Sequence, residues 1–134
     1  MLAKHLRVGQ SGEELAASYL RKKGYKILDR NWRCNFGELD LVCRHKETIV
    51  FVEVKTRSAS TSVLPSEALT YHKRKRLLKT ATLYLSKNGL WDQMCRFDLI
   101  CVILGNNSAD IEHVQNAFEF TYAVGSRHSS WQPW

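Results

Sequence analysis

Long apolar runs are absent from this sequence of 134 residues, and no stretch could cross a membrane as a helix. Residues 1–7 also lack the apolar core of a secretory signal peptide, which predicts a cytoplasmic protein. The four cysteines form neither a C-x-x-C pair nor a zinc-binding spacing. Three of them, Cys43, Cys95 and Cys101, fall inside strand-like runs, where we expect small buried thiols.

Internal repeats and signs of a second domain are absent as well. The length fits one domain with enough apolar residues for a single core. We expect that domain to span residues 1–122 and residues 123–134 to form a flexible tail. Acidic residues are in the minority, since 20 Lys and Arg against 13 Asp and Glu give a formal net charge of +7. That surplus favours a polyanionic partner, although many basic proteins bind nothing anionic.

Two short runs with alternating side chains, residues 37–42 and 50–57, organise the middle of the sequence. Alternation of period 2 is typical of half-buried strands, and the two runs predict a hairpin that turns around Lys46-Glu47. The turn lacks Asn-Gly and Asp-Gly, so we expect a four-residue loop, 45–48, built on a type I turn. One face of this hairpin then carries apolar pairs, and its burial fixes the register. The pairs are Leu39 with Val54, Leu41 with Val52, and Cys43 with Val50.

The other face of the hairpin brings acidic side chains together. Asp40 lies opposite Glu53, and Lys55 follows on the same face two residues later. Directly opposed residues have Cβ atoms about 4.5–5.5 Å apart, and like charges at that distance destabilise a sheet unless a cation lies between them. Carboxylate oxygens suit Mg²⁺ or Mn²⁺, so we expect Asp40 and Glu53 to be metal ligands. Two acids and a lysine at one place are typical of metal-assisted phosphodiester hydrolysis.

The alternative interpretation of this pattern is an ordinary surface with one salt bridge. Generic D…E-x-K matches arise by accident, and the match alone favours this alternative. Here, however, the acids interrupt otherwise apolar strands and face each other, which favours a functional site. Glu38 lies opposite Lys55 and fits the role of a structural partner.

A first helix is predicted over residues 8–23, with Ser11 and Glu14 as a capping box and Gly24 as its stop. Helical spacing places Glu13 on the stripe that meets the sheet and Glu14 on the opposite side. An acid on the inner face is a candidate catalytic residue. Equally, Glu13 fits an acid favoured near a helix start by the helix macrodipole.

Residues 58–64 are rich in Ser and Thr, which predicts a loop that borders the site. A second helix is predicted to start at Pro65-Ser66, with Ser66 as its cap, and to end at Asn88-Gly89. Basic side chains crowd its middle, which fits either a solvated face or a surface for phosphate backbones. The predicted nucleic-acid-binding residues are these and two arginines of the strands: Arg33, Arg57, Lys73, Arg74, Lys75, Arg76 and Lys79.

Further strands are predicted over residues 25–33, 96–104 and 110–115, while residues 116–122 are ambiguous. Short loops predict that the three strands before the second helix form an antiparallel meander. The long helix then allows the next strand to lie parallel to its neighbour. The predicted fold class is therefore α/β, a mixed sheet flanked by two helices.

This order of elements and motifs resembles the restriction-endonuclease-like fold of the PD-(D/E)XK nuclease superfamily, with its αβββαβ core. More closely, the chain resembles the YraN-like family of predicted endonucleases, which are related to archaeal Holliday-junction resolvases. The matching residues lie between 12 and 118 and are Gly12-Glu13, Ala16, Tyr19-Leu20, Gly24-Tyr25, Asn31-Trp32-Arg33, 37–41, 51–57, Lys73 and 96–98.

The resemblance implies roles for these residues. Asp40 and Glu53 would ligate Mg²⁺ (or Mn²⁺), aided by the carbonyl of Val54. Lys55 would orient or activate the attacking water and stabilise charge on the phosphate. Glu13 would match the acid on the first helix of resolvase-like members. The superfamily's proline ahead of the metal-binding acid is missing here, which departs from the literal motif but leaves its chemistry intact.

We therefore expect a metal-dependent endonuclease that hydrolyses phosphodiester bonds in DNA during repair, recombination or replication. The resolvase-like relatives cut as dimers, so the resemblance also suggests a homodimer. Two other classes stay open. One is a non-catalytic nucleic-acid-binding module, which would bind without turnover. The other is a structural partner whose basic helix contacts an acidic protein. In that case the affinity for DNA would not fall as the salt concentration rises.

Overall fold

The structure of the protein is a computed structural model that describes residues 2–58 and 70–118, with side chains from residue 12 onward. The elements in chain order are α1 (Leu2–Lys22), β1 (Lys26–Cys34), β2 (Gly37–His45), β3 (Thr48–Ser58), α2 (Tyr71–Lys87), β4 (Met94–Leu104) and β5 (Ala109–Phe118). Neither helix of these two ranges has the length and apolar character that a membrane span needs.

The five strands form one sheet in chain order, β1-β2-β3-β4-β5. Neighbouring strands are antiparallel except β3 and β4, which run parallel. Parallel neighbours need a crossover connection, and the one between β3 and β4 contains α2. The predicted α/β class, a mixed sheet with a meander followed by a parallel strand and two flanking helices, is confirmed.

Each helix covers one face of the sheet. Leu77 and other residues of α2 pack against Phe51, while Ala16 and Leu20 of α1 pack against Val52 on the opposite face. Phe51 and Val52 are consecutive residues of β3, so the alternation of that strand supplies both layers of the core. Full burial of side chains of this size stabilises the fold by about 1.5–3 kcal/mol each.

The β2–β3 hairpin has the predicted register along its ladder, from His45 opposite Thr48 to Leu41 opposite Val52. Its turn differs from the prediction, because only Lys46 and Glu47 separate the strands and Lys46 has a φ of 56°. A positive φ at the first residue of a two-residue connection is typical of the tight primed turns. The expected four-residue loop on a type I turn is therefore wrong.

Leu39 lies on a different face from the predicted one. It packs in the α2 cluster with Val42, whereas Leu41, two residues along, packs in the α1 cluster. The simple alternation of β2 is therefore broken at Asp40, and the predicted pairing of Leu39 with Val54 on one apolar face is wrong. The physical reason is local, since the ladder to β3 stops at Leu41 and the Asp40 side chain takes up the next amide of β3.

The first helix begins earlier than predicted. It runs from Leu2 through Ser11 and Glu14 without a break, so Ser11 is no N-cap and the predicted capping box is wrong. Glu14 instead forms an exposed ion pair with Arg30, 2.9 Å between Oε2 and Nη1. The predicted stop is confirmed, because the helix ends at Lys22 and Gly24 follows with a φ of 93°.

The second helix begins at Tyr71. Thr70 is extended, and its hydroxyl accepts a hydrogen bond of 3.2 Å from the backbone amide of Lys73, so Thr70 is the N-cap of α2. Residues 59–69, with most of the predicted loop and the predicted start at Pro65-Ser66, lie outside the described residues, as does the predicted tail. The helix ends at Asn88-Gly89 as predicted.

Cys43 and Cys101 are buried as predicted, and Cys95 is half-buried. Burial raises the pKa of the Cys43 and Cys95 thiols to about 12, so neither is a thiolate at neutral pH. The part of the predicted ambiguous segment that is described belongs to β5, which ends at Phe118.

Candidate functional site

An open pocket of about 400 Å³ lies where the β2–β3 ladder ends. All four predicted catalytic residues line it: Glu13, Asp40, Glu53 and Lys55. They come from α1, β2 and β3, and α2 closes another side of the pocket with Lys73 and Arg76. The fold thus brings together acids and bases that are far apart in the sequence.

Asp40 is held in place by the backbone of β3. Its Oδ2 accepts a hydrogen bond of 2.8 Å from the amide of Val54, the residue next to Glu53. Burial raises the pKa of Asp40 to about 7, and the neighbouring carboxylate of Glu53, within hydrogen-bonding contact, adds to the rise. Two carboxyl groups this close repel each other when both are charged, so Asp40 holds its proton more readily than an ordinary aspartate.

Glu53 has a positively charged partner in the pocket. The ammonium of Lys73 lies 3.0 Å from Oε1 of Glu53, and the side chains of the two residues are 25% and 11% exposed, respectively. Lys73 was predicted to bind nucleic acid from a crowded helix surface. The structure places it in the pocket, where it is a counter-ion of Glu53, a predicted metal ligand.

Lys55 lies next to Lys73 with its side chain half-buried. Burial lowers the pKa of the Lys55 amine, and the hydrogen-bonded ammonium of Lys73 lowers it further. For Lys73 the balance is opposite, because burial is outweighed by contacts with Lys55 and Glu53, which raise its pKa. Of the two amines, Lys73 therefore holds its proton more firmly, and Lys55 is the more readily deprotonated.

Close contact between α1 and β3 brings Glu13 to the pocket. Gly12 lies so near Thr56 that a Cβ atom at position 12 would collide with the Thr56 hydroxyl oxygen. Because Gly12 permits this approach, the next residue, Glu13, reaches the pocket with its side chain half-buried, and its charge also raises the pKa of Asp40. Glu14 is exposed on the other side of the helix.

The predicted nucleic-acid-binding residues fall into two groups. Arg76 lines the pocket, and the Lys79 ammonium lies over the ring of Phe36, 5.6 Å from its centroid. Arg33, near the same turn, lies 3.9 Å from Glu38. Of the seven predicted residues, Lys73 and Arg76 are the two that line the pocket. Farther along the chain's surface, Arg57 is half-buried near the end of β3, Arg74 is half-buried on α2, and the Lys75 ammonium lies over Tyr71.

Four acids line the pocket, and two of them, Asp40 and Glu53, are in contact and could offer their carboxylates to one cation. Among the described residues, no group of three or more His, Cys, Asp and Glu side chains is arranged to hold a metal ion. Mg²⁺ is nevertheless commonly bound through one or two carboxylates while it keeps several waters. Two adjacent carboxyl groups, one with its pKa raised by the other, fit such an ion, because a divalent cation would relieve their repulsion.

Some pocket residues were missed by the sequence analysis. Phe36 is 44% exposed and lines the pocket from the β1–β2 turn, and Thr80 lines it from α2. A lone aromatic in a turn carries no periodic signal, and Thr80 resembles any other residue of the helix. Only the helical spacing of Thr80 from Lys73 and Arg76, at seven and four residues, was available as a hint.

A second polar cluster lies outside the pocket and was also missed. Asp98, 1% exposed, accepts hydrogen bonds from Arg96 at 2.9 Å and from the amide of Asn116 at 3.1 Å, and its Oδ2 lies 2.7 Å from Nε2 of His113. Burial alone would raise the pKa of Asp98, but the hydrogen bonds with His113 and Arg96 hold it below its ordinary value. The available signal was an acid inside an apolar strand, which needs a partner.

Comparisons with known proteins point to one family. A family model described as "Uncharacterised protein family UPF0102" matches residues 12–102, which include Glu13, Asp40, Glu53 and Lys55. A UPF0102 protein of Nitratidesulfovibrio vulgaris is 46% identical over 126 residues, 94% of each chain. One of Lawsonia intracellularis is 46% identical over 131 residues, 98% of this chain and 99% of its own. One of Geobacter sulfurreducens is 45% identical over 116 residues, 86% of this chain and 91% of its own.

Proposed function

This chain belongs to the UPF0102 family, and we propose that it is a metal-dependent endonuclease of the PD-(D/E)XK superfamily that hydrolyses phosphodiester bonds in DNA. One observation carries the proposal. The carboxyl groups of Asp40 and Glu53 are neighbours in an open pocket that also holds the amine of Lys55. Two acids and a lysine around a space large enough for a phosphate group suit metal-assisted hydrolysis better than a structural salt bridge.

Asp40 and Glu53 would hold Mg²⁺ or Mn²⁺, together with the backbone carbonyl of Val54. The ion, when bound, supplies positive charge to the phosphate undergoing attack. The amide of Val54 fixes Asp40, so the position of this ligand depends on the strand backbone rather than on a flexible side chain. This preorganisation lowers the cost of assembling the site.

Lys55 would orient the attacking water and accept its proton or stabilise charge on the phosphate. Its lowered pKa supports a role that needs a neutral amine for part of the time. Lys73, 3.0 Å from Oε1 of Glu53, would supply a second positive charge to the pocket. Glu13, which lines the same pocket from α1, would position a water molecule or orient the residues that ligate the ion.

The basic side chains at the edge of the pocket would bind the phosphates that flank the scissile bond. Arg76 and Lys79 are the nearest of these, and Arg33 lies at the neighbouring turn. Action on DNA in repair, recombination or replication would place the protein in the cytoplasm. A homodimer, suggested by the resemblance to resolvases, would provide two such pockets for symmetric substrates, and sedimentation equilibrium would test it.

The test is a cleavage panel of duplex, single-stranded, flap and four-way DNA with Mg²⁺ or Mn²⁺. We expect cleavage of at least one substrate, and its loss in Asp40→Asn and in Lys55→Met. Glu47→Gln, at the exposed hairpin turn outside the pocket, is the matched control and should retain activity. Equal cleavage by Asp40→Asn and the wild type would indicate a contaminating nuclease and defeat the proposal.

A second candidate function, a non-catalytic nucleic-acid-binding module, has one observation in its favour. The ammonium of Lys73 neutralises Glu53 at 3.0 Å, so the pocket needs no metal to balance this charge. Calorimetry with Mg²⁺ or Mn²⁺ separates the two functions when it is run beside the cleavage panel. DNA binding without turnover on every substrate would favour the module.

A further inference from the structure

Phe36 is an aromatic side chain that lies outside the apolar core. It lies in the turn between β1 and β2 and is 44% exposed. It belongs to neither of the two apolar clusters that the described residues form. Its ring nevertheless lines the pocket that holds Asp40 and Glu53, so a large apolar surface stands beside strongly polar groups.

Positive charge accompanies the ring. The ammonium of Lys79 lies 5.6 Å from the ring centroid, and Arg76 lines the same pocket on the adjacent turn of α2. A ligand that suits this surface offers both a flat π-face and an anionic group. A nucleotide has both, because its base can stack on the ring while its phosphate pairs with the amines.

The exposed ring also restricts which nucleic acid fits. In a continuous duplex both faces of each base are stacked on neighbouring bases, and extruding a paired base costs a few kcal/mol. An unpaired base has a face available, and stacking on an aromatic side chain contributes about 1–3 kcal/mol per base. An aromatic ring beside the pocket would therefore favour an unpaired base over a paired one.

We propose that Phe36 is a stacking platform for an unpaired base, and that the pocket selects nucleic acid with a single-stranded segment next to the bound phosphate. Overhangs, flaps and branch points belong to this class, and continuous duplex does not. The proposal rests on the proposed function only in that nucleic acid is the ligand of the pocket. It does not depend on whether the bound strand is cleaved.

The chain contains a matched control for this residue. Tyr71 is 54% exposed and has the ammonium of Lys75 over its ring at 5.4 Å, so it repeats the pairing of an aromatic with a lysine. It does not line the pocket. Tyr71 precedes Lys73 by two residues on α2, which places the two side chains about 200° apart around the helix axis, on opposite sides. If any exposed aromatic beside a lysine were sufficient, Tyr71 would contribute as much as Phe36.

The test measures binding without divalent ions, so that cleavage plays no part. The probes are a duplex with a short single-stranded overhang carrying 2-aminopurine and the blunt duplex of the same sequence. For the wild type we expect tighter binding of the overhang, by about fivefold or more, and quenching of the 2-aminopurine fluorescence as it stacks. Phe36→Ala and Phe36→Leu should both lose the preference and the quenching, because leucine retains apolar surface but has no π-face.

Phe36→Trp should retain both signals, and so should Tyr71→Ala. Thermal unfolding followed by circular dichroism checks that each variant is folded. Equal binding of overhang and blunt duplex by the wild type would overturn the proposal, as would a Phe36→Ala variant that quenches like the wild type. Quenching that depends on Phe36, in a protein that cleaves nothing, would refute the nuclease function and leave the stacking platform standing.

Discussion

The carboxylate of Asp40 accepts a hydrogen bond of 2.8 Å from the backbone amide of Val54, just beyond Leu41 and Val52, the last pair of the β2–β3 ladder. A side chain thus takes the place that a backbone carbonyl would occupy in a continued ladder. The amide stays satisfied while β2 moves away from β3, and the pocket lies at this point. The same contact fixes the acid that would bind a metal ion beside Glu53.

Divalent-ion binding is expected to strengthen as the pH rises. Burial and the carboxylate of Glu53 raise the pKa of Asp40 to about 7, so below that pH an incoming ion must displace a proton. The affinity should rise by roughly tenfold per pH unit below about pH 7 and level off above it. Calorimetric titration with Mn²⁺ at several pH values measures this dependence. Asp40→Asn should bind Mn²⁺ weakly, and its affinity should not depend on pH. A wild-type affinity that is independent of pH would contradict the prediction.

Removal of the Lys73 ammonium is expected to strengthen binding of a divalent ion. Lys73 lies 3.0 Å from Oε1 of Glu53 and competes with a metal ion for that carboxylate. We expect Lys73→Met to bind Mn²⁺ about fivefold more tightly, since a part-buried ion pair contributes on the order of 1 kcal/mol. Lys75→Met, on the other side of α2 and outside the pocket, is the control and should bind like the wild type. Weaker binding by Lys73→Met would mean that the lysine organises Glu53 for the ion instead.

Gly12→Ala tests whether close contact between α1 and β3 supports the site. In an unobstructed helix this change would stabilise the protein by about 1 kcal/mol. Here the added Cβ meets the hydroxyl oxygen of Thr56, so we expect lower stability and weaker metal binding as Glu13 is displaced. In a Thr56→Ala background the hydroxyl is gone and the Cβ of residue 56 remains, 3.3 Å from the added Cβ, so the same change should cost much less stability. Urea unfolding of the four proteins gives the coupling, and additive effects would argue against a steric contact.

The parts of the site that the sequence predicted depend on local pattern. Period-2 alternation in two runs close in sequence specified the hairpin and its register as far as Leu41 opposite Val52. Asp40 and Glu53 also come together as predicted, just beyond the end of this ladder. Helical spacing likewise separated Glu13 from Glu14. In each case the information lies within about one helical turn or one hairpin, where backbone geometry leaves few alternatives.

The parts that escaped prediction depend on breaks in the pattern or on distant contacts. The change of face at Leu39 follows from the Asp40 side chain replacing a ladder hydrogen bond, which no alternation rule contains. In the sequence, Lys73 is one of several basic residues on a helix with a solvated face. Only the packing of α2 against the sheet brings it beside Glu53. The polar cluster around Asp98 draws on residues from Tyr19 to Asn116, which only the tertiary fold brings together.

That cluster gives the last prediction, which concerns stability. Asp98 is buried and accepts hydrogen bonds from Arg96 and the Asn116 amide, with His113 2.7 Å away. Asp98→Asn retains the shape of the side chain but leaves the Arg96 guanidinium without its counter-ion. Removing one partner of a buried pair typically costs about 3–5 kcal/mol, so we expect a loss of that order at neutral pH. Asp92→Asn, an exposed acid in the turn before β4, is the control and should be nearly neutral.

The loss should depend on pH with a definite sign. Hydrogen bonds with His113 and Arg96 outweigh burial and hold the pKa of Asp98 below its ordinary value. A depressed pKa of this kind adds stability above the unfolded-state value of about 3.9, and that stability disappears as the pH falls through the folded-state pKa. The difference in unfolding free energy between the wild type and Asp98→Asn should therefore be full near pH 7 and shrink below about pH 4. Urea unfolding across this range measures the difference, and a gap that stays constant into acid would show that the charge of Asp98 contributes nothing to the cluster.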